Sequence, residues 1–331
     1  MHTTASKAHD DRKSFLGVLL VVIVVVTSGP VRSQTAAGRA DEASDAQAVQ
    51  IAMKNVLYHY TDRVAVHIVR LDGKLTPTKP SSLVTFDDKN SFSLVLTSAE
   101  IAISCGSLAE VLNENVFSFA NAPIKDIGIE SKNNQLVIKG KLPQKAGVTF
   151  EATGTISAES DGRIRLHTNH IKAAHLPVKG LLDLLGVDLT RLINTNKVRG
   201  ITVQKDDLIL DPEQILPPPH IRGKVTAVRI QGNDIVQVFG QSQAANAAPH
   251  QPGNYIAFRH GDMRFGKLTM HDSDLIMIDM DPRDPFDFFL DHYQEQLVAG
   301  YTKSTSEFGL RAHAQDYNKL PMSQAPGSPK K

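Results

Sequence analysis

The stretch VTFEATGTISAESDGRIRLHTNHI, residues Val148 to Ile171, decides how this chain is built. Val148, Phe150, Ala152 and Ile156 fall on one face, and Thr149, Glu151, Thr153 and Thr155 on the other. After the Asp161-Gly162 turn signal the chain returns with Ile164 and Leu166 on the apolar side and Arg163, Arg165 and His167 on the wet side. A period of two bounded by Asp and Gly marks half-buried antiparallel strands. One dry and one wet face is what an antiparallel sheet with one solvated side requires.

The same pattern extends upstream. IGIES and QLVIKGKL flank Asn133-Asn134, a tight-turn pair because Asn tolerates positive φ. Val64, Val66 and Ile68 share a face before Asp72-Gly73, where a turn is expected, and Leu83 to Phe86 and Phe92, Leu94 and Leu96 follow as further strands. SLAEVLNENVF breaks the alternation. Leu108, Val111, Leu112 and Val116 recur at helical spacing, and Ser107 with Glu110 reads as a capping box for a short amphipathic helix.

Downstream, LPVKGLLDLLGVDLTRLI, Leu176 to Ile193, reads as a second helix. At about 100° per residue, Val178, Leu181, Leu182, Leu185, Leu189, Leu192 and Ile193 fall within an arc of roughly 120°, with Leu184 and Val187 on the far side. Gly180 and Gly186 weaken it by about 1 kcal/mol each, so packing must hold it. ITVQKDDLILD is a strand pair, the prolines of EQILPPPHIRG exclude regular structure, and IRGKVTAVRIQGNDIVQVFG is a hairpin about Gly232-Asn233 with a bulge expected between Ala227 and Val228. YIAFRH, MRFGKLTMH and LIMIDMD are strands. A last helix is expected with Asp284 as N-cap, Pro285 in its first turn, and Phe286, Phe289, Leu290, Tyr293, Leu297 and Tyr301 on one face.

The chain of 331 residues is long enough for a proper core, and its 36 basic and 35 acidic side chains leave a net charge of +1. That balance argues against a nucleic-acid partner. FLGVLLVVIVVV, Phe15 to Val26, is about 18 Å long as a helix against roughly 30 Å of bilayer hydrocarbon. With its basic flank and following small residues it reads as an export signal, cleaved after Ser33 or Ala37 or kept as an anchor. The functional part is then expected outside the cytoplasmic membrane. Residues 1–40 form this segment, 41–241 the curved-sheet domain, 242–254 a loop, 255–317 C-terminal strands and helix on the same domain, and 318–331 a disordered tail. The single cysteine, Cys105, has no intramolecular disulfide partner and reads as a small core residue.

No catalytic motif emerges. Asp279, Asp281, Asp284 and Asp287 are the most metal-like cluster, but the EF-hand glycine and closing glutamate are missing. The histidines, among them His167, His170, His175, His260, His271 and His292, show no close zinc spacing. GQSQA lacks the second glycine of a nucleophile elbow, and KGKLPQKAG lacks the order of a phosphate loop. Arg163, Arg165, Lys172 and Lys179 read as a solvated face or as a patch for anionic headgroups. The expectation is a non-catalytic binding protein without cofactor or metal. The leucine helix either plugs a sealed core or walls an apolar tunnel, and periodicity does not separate the two.

Taken together, SLAEVLNENVF, IGIESKNNQLVIKGKL, the Val148–Ile171 stretch and the leucine helix resemble the tubular lipid-binding superfamily, most closely its small secreted bacterial LmeA-like members, over roughly residues 95 to 240. The resemblance implies an α+β fold, a strongly curved antiparallel sheet wrapped around amphipathic helices, here with an added C-terminal strand-plus-helix module. It implies a lipid ligand held at a membrane surface. The groove lining would be Leu181, Leu182, Leu185, Leu189, Leu192 and Ile193, joined by Val178, with Leu108, Val111, Leu112 and Val116 opposite. An envelope scaffold with a sealed core, and an extracytoplasmic hydrolase built around the Asp279 cluster, are the alternatives.

Overall fold

A computed structural model describes residues 48–79, 82–174, 176–180, 183–186, 190, 193, 198–240 and 251–321. In chain order the strands are β1 Val49–His59, β2 Ala65–Pro77, β3 Val84–Thr85 and β4 Phe92–Ser104; then β5 Lys125–Lys132, β6 Gln135–Leu142, β7 Val148–Ala158, β8 Ile164–Ala173 and β9 Leu176–Val178. β10 Ile201–Gln204, β11 Asp207–Leu210, β12 His220–Arg222, β13 Val225–Gln231 and β14 Asp234–Gly240 follow. The C-terminal set is β15 Tyr255–Arg259, β16 Met263–Phe265, β17 Leu268–Met270, β18 Asp274–Asp279, β19 Phe286–Phe289, β20 Tyr301–Ser304 and β21 Leu310–Ala314. Among the described residues the α-helices are short, among them α1 Cys105–Val111, continued by a π turn at Leu112–Val116, α2 Pro212–Ile215 and α3 Tyr293–Val298.

The strands form a large sheet in the order β13-β14-β4-β2-β1-β15-β18-β21-β20, a second sheet in the order β10-β11-β8-β7-β6-β5, and a small third one. Pairing is mostly antiparallel, and among the described residues neither large sheet closes into a barrel. Asn133 and Asn134 both take positive φ, 52° and 58°, and turn β5 into β6 as their side chains permit. Gly232-Asn233 likewise turns β13 into β14.

The centre of the large sheet is β1, which no alternation announced because Ile51, Ala52 and Met53 are buried in succession. Its first half pairs with β15 and its second half, from Val56, with β19, while β2 runs along its other edge. Asn55, at φ 51°, sits where the partner changes. Its side chain is anchored both ways, donating to Asn254 Oδ1 at 2.9 Å and facing His67 Nε2 at 2.8 Å. Residues 255–314 are therefore woven into the main sheet through β15, β18 and β19 rather than appended to it.

Several expectations are corrected. β2 passes straight through Asp72-Gly73, which is a register shift against β4 and not a turn; a Cβ on Gly73 would collide with Val95 O, so glycine serves close approach there. α1 is capped by Ser104, whose hydroxyl accepts from Ser107 N at 3.0 Å, rather than by a Ser107–Glu110 box. The hairpin bulge falls between Val225 and Ala227, a step earlier than expected. Asp284 and Pro285 start no helix: Phe286–Phe289 is a strand beside β1, and helical structure begins only with the 3₁₀ turn at Leu290–His292 that leads into α3. Aromatic side chains favour a pleated, buried surface, and the β1 edge supplies it. Tyr301 belongs to β20.

The leucine segment also differs from one continuous helix. Leu176–Val178 is strand, with Val178 opposite Ile171 of β8. A helical turn spans 183–186, and Gly186, at φ 77°, leaves the helical region. Leu181, Leu182, Leu189 and Leu192 lie outside the described residues, as do the leader 1–47, 241–250 of the loop, and the tail from 322.

Candidate functional site: an apolar slot between two sheets

The two large sheets meet at β13. Val225 N donates to Gly162 O at 3.2 Å, Ser131 N to Asn233 Oδ1 at 3.2 Å and Cys105 N to Asn233 O at 2.9 Å, so the β13–β14 hairpin bridges from one sheet to the other and to α1. α1 lies between the layers. Its π turn places Asn113 where the side chain exchanges two hydrogen bonds with Ile127, 2.8 and 2.9 Å, fixing the helix end to β5. Leu108, Val111, Leu112 and Val116 are all buried by this docking.

The layers do not fill the space completely. Among the described residues cavities of about 40 and about 60 Å³ remain here, and Leu108, Ile156 and Leu210 wall both of them. The first is bounded by β2, β4 and the proline loop, through residues such as Ile68, Leu94, Ile103 and Ile215. The second is bounded by the smaller sheet, with Leu136, Phe150 and Leu208 opposite Leu112, Leu184 and Leu185. Among the described residues the one polar side chain on the second wall, Thr168, donates its hydroxyl to Asp206 O at 2.6 Å. Gln237 and Tyr60 are the polar members of the first, and burial pushes the Tyr60 phenol well above its ordinary range. Apart from these three side chains, the described walls of both cavities are apolar.

Of the lining expected from sequence, Leu108, Leu112 and Leu185 face this slot. Val111, Val116 and Ile193 are buried in the surrounding core and Val178 packs half-buried against it. Leu184, expected on the far side of its helix, is buried at the wall. The alternation of β7 and β8 marked Phe150, Ala152, Ile156 and Leu166 as inward, and all four reach the slot. Tyr60, Pro212 and Ile215 were missed because their position depends on how the loops fold back, which no periodicity records.

The aspartate cluster separates into three environments. Asp279 is buried and accepts from Asn254 Nδ2 at 2.8 Å and from Asp281 N at 2.7 Å; desolvation outweighs these bonds and raises its pKa to about 6. Asp287 turns to His59, 2.7 Å away but off the line of a hydrogen bond, beneath the rings of Phe289 and Tyr317. Asp281 and Asp284 instead group with Asp316, and Lys319 Nζ sits among them at 2.9, 3.3 and 2.7 Å. Arg283 and Lys319 hold the Asp281 carboxyl well below the usual range. The ammonium of Lys319 thus occupies the position a bound cation would take. Cys105 is fully buried, and burial pushes its thiol up, as suits a core residue.

Of the basic patch, Arg163 pairs with Asp161 at 2.7 Å and Arg165 with Glu159, which leaves Lys172 and Lys179 exposed. Among the described residues no helix is long and apolar enough to cross a membrane. No protein-family model, no curated protein and no solved structure matches this chain.

Proposed function

We propose that this protein binds a lipid, a phospholipid or another acyl or prenyl lipid, without catalysis, on the outer side of the cytoplasmic membrane. The observation that carries the reading is the dry slot between the sheets, walled by aliphatic side chains from α1, β7 and β11 together. Hydrocarbon needs just such walls, since its transfer from water is driven by area removed from solvent and asks for no hydrogen bonds. The likeness to tubular lipid-binding proteins and the export-type leader agree with this reading, with a curved sheet around α1 as the holding geometry.

The slot is narrow in this conformation. A cavity of about 150 Å³ holds one benzene, and neither cavity here reaches that size. An acyl chain therefore enters by parting the layers around α1. The same narrowness favours the second reading, an envelope scaffold whose core is sealed. Native mass spectrometry with solvent extraction, on exported protein purified without detergent, separates them. Bound mass that extracts as phospholipid or polyprenyl lipid is expected. A clean apo mass that also refuses added lipid would establish the sealed core.

A further inference from the structure

Beside the apolar slot lies a solvent-open groove of a different character, with about 780 Å³ of free volume. Arg163, Arg199, Arg222 and His220 line it, together with Asp211 and Glu213. The two acids are engaged elsewhere. Asp211 caps α2, accepting from Glu213 N at 3.0 Å and from the Gln214 side chain at 2.5 Å. Glu213 Oε1 accepts from Gly223 N at 2.8 Å. Arg163 is committed to Asp161. Arg199 and Arg222 are exposed, and among the described residues neither has a carboxylate within ion-pair distance.

Both arginines stand on fixed backbone. Gly200, at φ 71°, accepts from Asp211 N at 2.8 Å, and a Cβ there would lie 2.7 Å from Ile215 Cγ2, so the turn carrying Arg199 is pressed against α2. Arg222 ends β12, which pairs with β4, and the Gly223–Glu213 bond ties the next residue to the same helix. Two residues separate groove from slot: Ile221 lines the groove and the first cavity, and Ile201 lines the groove and the second. A wet recess lined by arginines and two backbone-bound carboxylates and a dry aliphatic one thus share a wall.

We infer that the groove receives the anionic headgroup of the bound lipid, with Arg199 and Arg222 as the guanidinium clamp for a phosphate or phosphodiester while the hydrocarbon enters past Ile201 and Ile221. Guanidinium groups match phosphate oxygens with paired N–H donors, and such charge-assisted bonds are the strong ones. This inference rests on the lipid reading and adds selectivity for anionic over zwitterionic lipids of equal chain length.

The test titrates the full chain with water-soluble dihexanoyl phosphatidylglycerol and dihexanoyl phosphatidylcholine, followed by native mass spectrometry. The expected result is a roughly tenfold preference for phosphatidylglycerol. It should collapse toward unity in the double variant Arg199→Gln/Arg222→Gln and persist in Lys132→Gln/Lys303→Gln, which removes the same charge at other exposed positions. Equal uptake of both lipids by the wild type, or an unchanged preference in the arginine variant, overturns the headgroup clamp and leaves the lipid reading standing. Uptake of neither lipid overturns both. Binding of inorganic phosphate that depends on the two arginines, without uptake of either lipid, would make the groove a free-anion site and also overturn the inference.

Discussion

Leu108 walls both cavities together with Ile156 and Leu210, and its place between the sheets follows from the cap and the π turn that dock α1 as well as from hydrophobicity. Fully burying a leucine is worth about 1.5–3 kcal/mol, so residues here serve the core whether or not a ligand ever enters. Substitutions must therefore be read with the fold monitored. Leu185→Asp, placing a charge on the slot wall, is expected to abolish lipid uptake; retention of uptake by a variant with native circular dichroism would remove Leu185 from the lining. A gentler probe exploits the absence of tryptophan from the chain. Leu208, only partly buried on the β11 wall, becomes the sole tryptophan in Leu208→Trp. Its fluorescence should be quenched by lipids brominated on the acyl chain and not by bromide in solution.

Asp279 makes a prediction of a different kind. Its folded pKa, about 6, lies above that of an unfolded aspartate, so the native state binds the extra proton between about pH 4 and 6. Stability should therefore fall as pH rises through that window. In Asp279→Asn, urea midpoints measured across the same range should flatten. An unchanged slope in the variant would assign the dependence to another group. The sequence showed an aspartate in a strand-end cluster. It showed nothing of the desolvation, which comes from burial at the end of β18 and outweighs the opposing bond from Asn254.

At the scale of the element, strands with one dry face and the short helix α1 were legible, while the helix expected from Asp284 was not. β5 to β8, β10, β11 and the β13–β14 hairpin all declare themselves by alternation and by turn residues, since each pairs with a neighbour close in sequence. Phe286–Phe289 gave a helical pattern of aromatic residues and became β19 because β1, more than 200 residues earlier, offers a free edge. The leucine segment gave an arc that Gly186 interrupts. The cap of α1 is a local matter that separates two readings of one sequence. Ser104→Ala should cost about 1 kcal/mol through loss of the bond to Ser107 N. Ser107→Ala, whose hydroxyl makes only a 3.4 Å bond to Ala65 N, should cost clearly less in the same denaturation experiment.

At the scale of the whole molecule, the C-terminal residues are the test of unity. β15 and β19 cover one complete edge of β1, and β18 and β21 extend the sheet beyond them. A chain ending at Gly240 would leave β1 paired only with β2 and turn it into an exposed edge carrying Ile51, Met53 and Val56, so it should aggregate or fail to show cooperative thermal unfolding. A soluble, cooperative, lipid-binding truncation would instead make the C-terminal residues a separable addition. By itself the sequence determined the antiparallel character, the turns and the inward face of the β7–β8 hairpin, because these depend on side-chain period and on φ preferences of Asn and Gly at single positions. It also determined that no familiar catalytic motif is present. Only the tertiary structure decided that β1 is the centre, that the aspartates divide among a buried acid, a partner of His59 and a lysine-filled triad, and that an arginine-lined groove adjoins the slot. Each of those rests on pairings between distant segments, whose free energy comes from a neighbour that local pattern does not name.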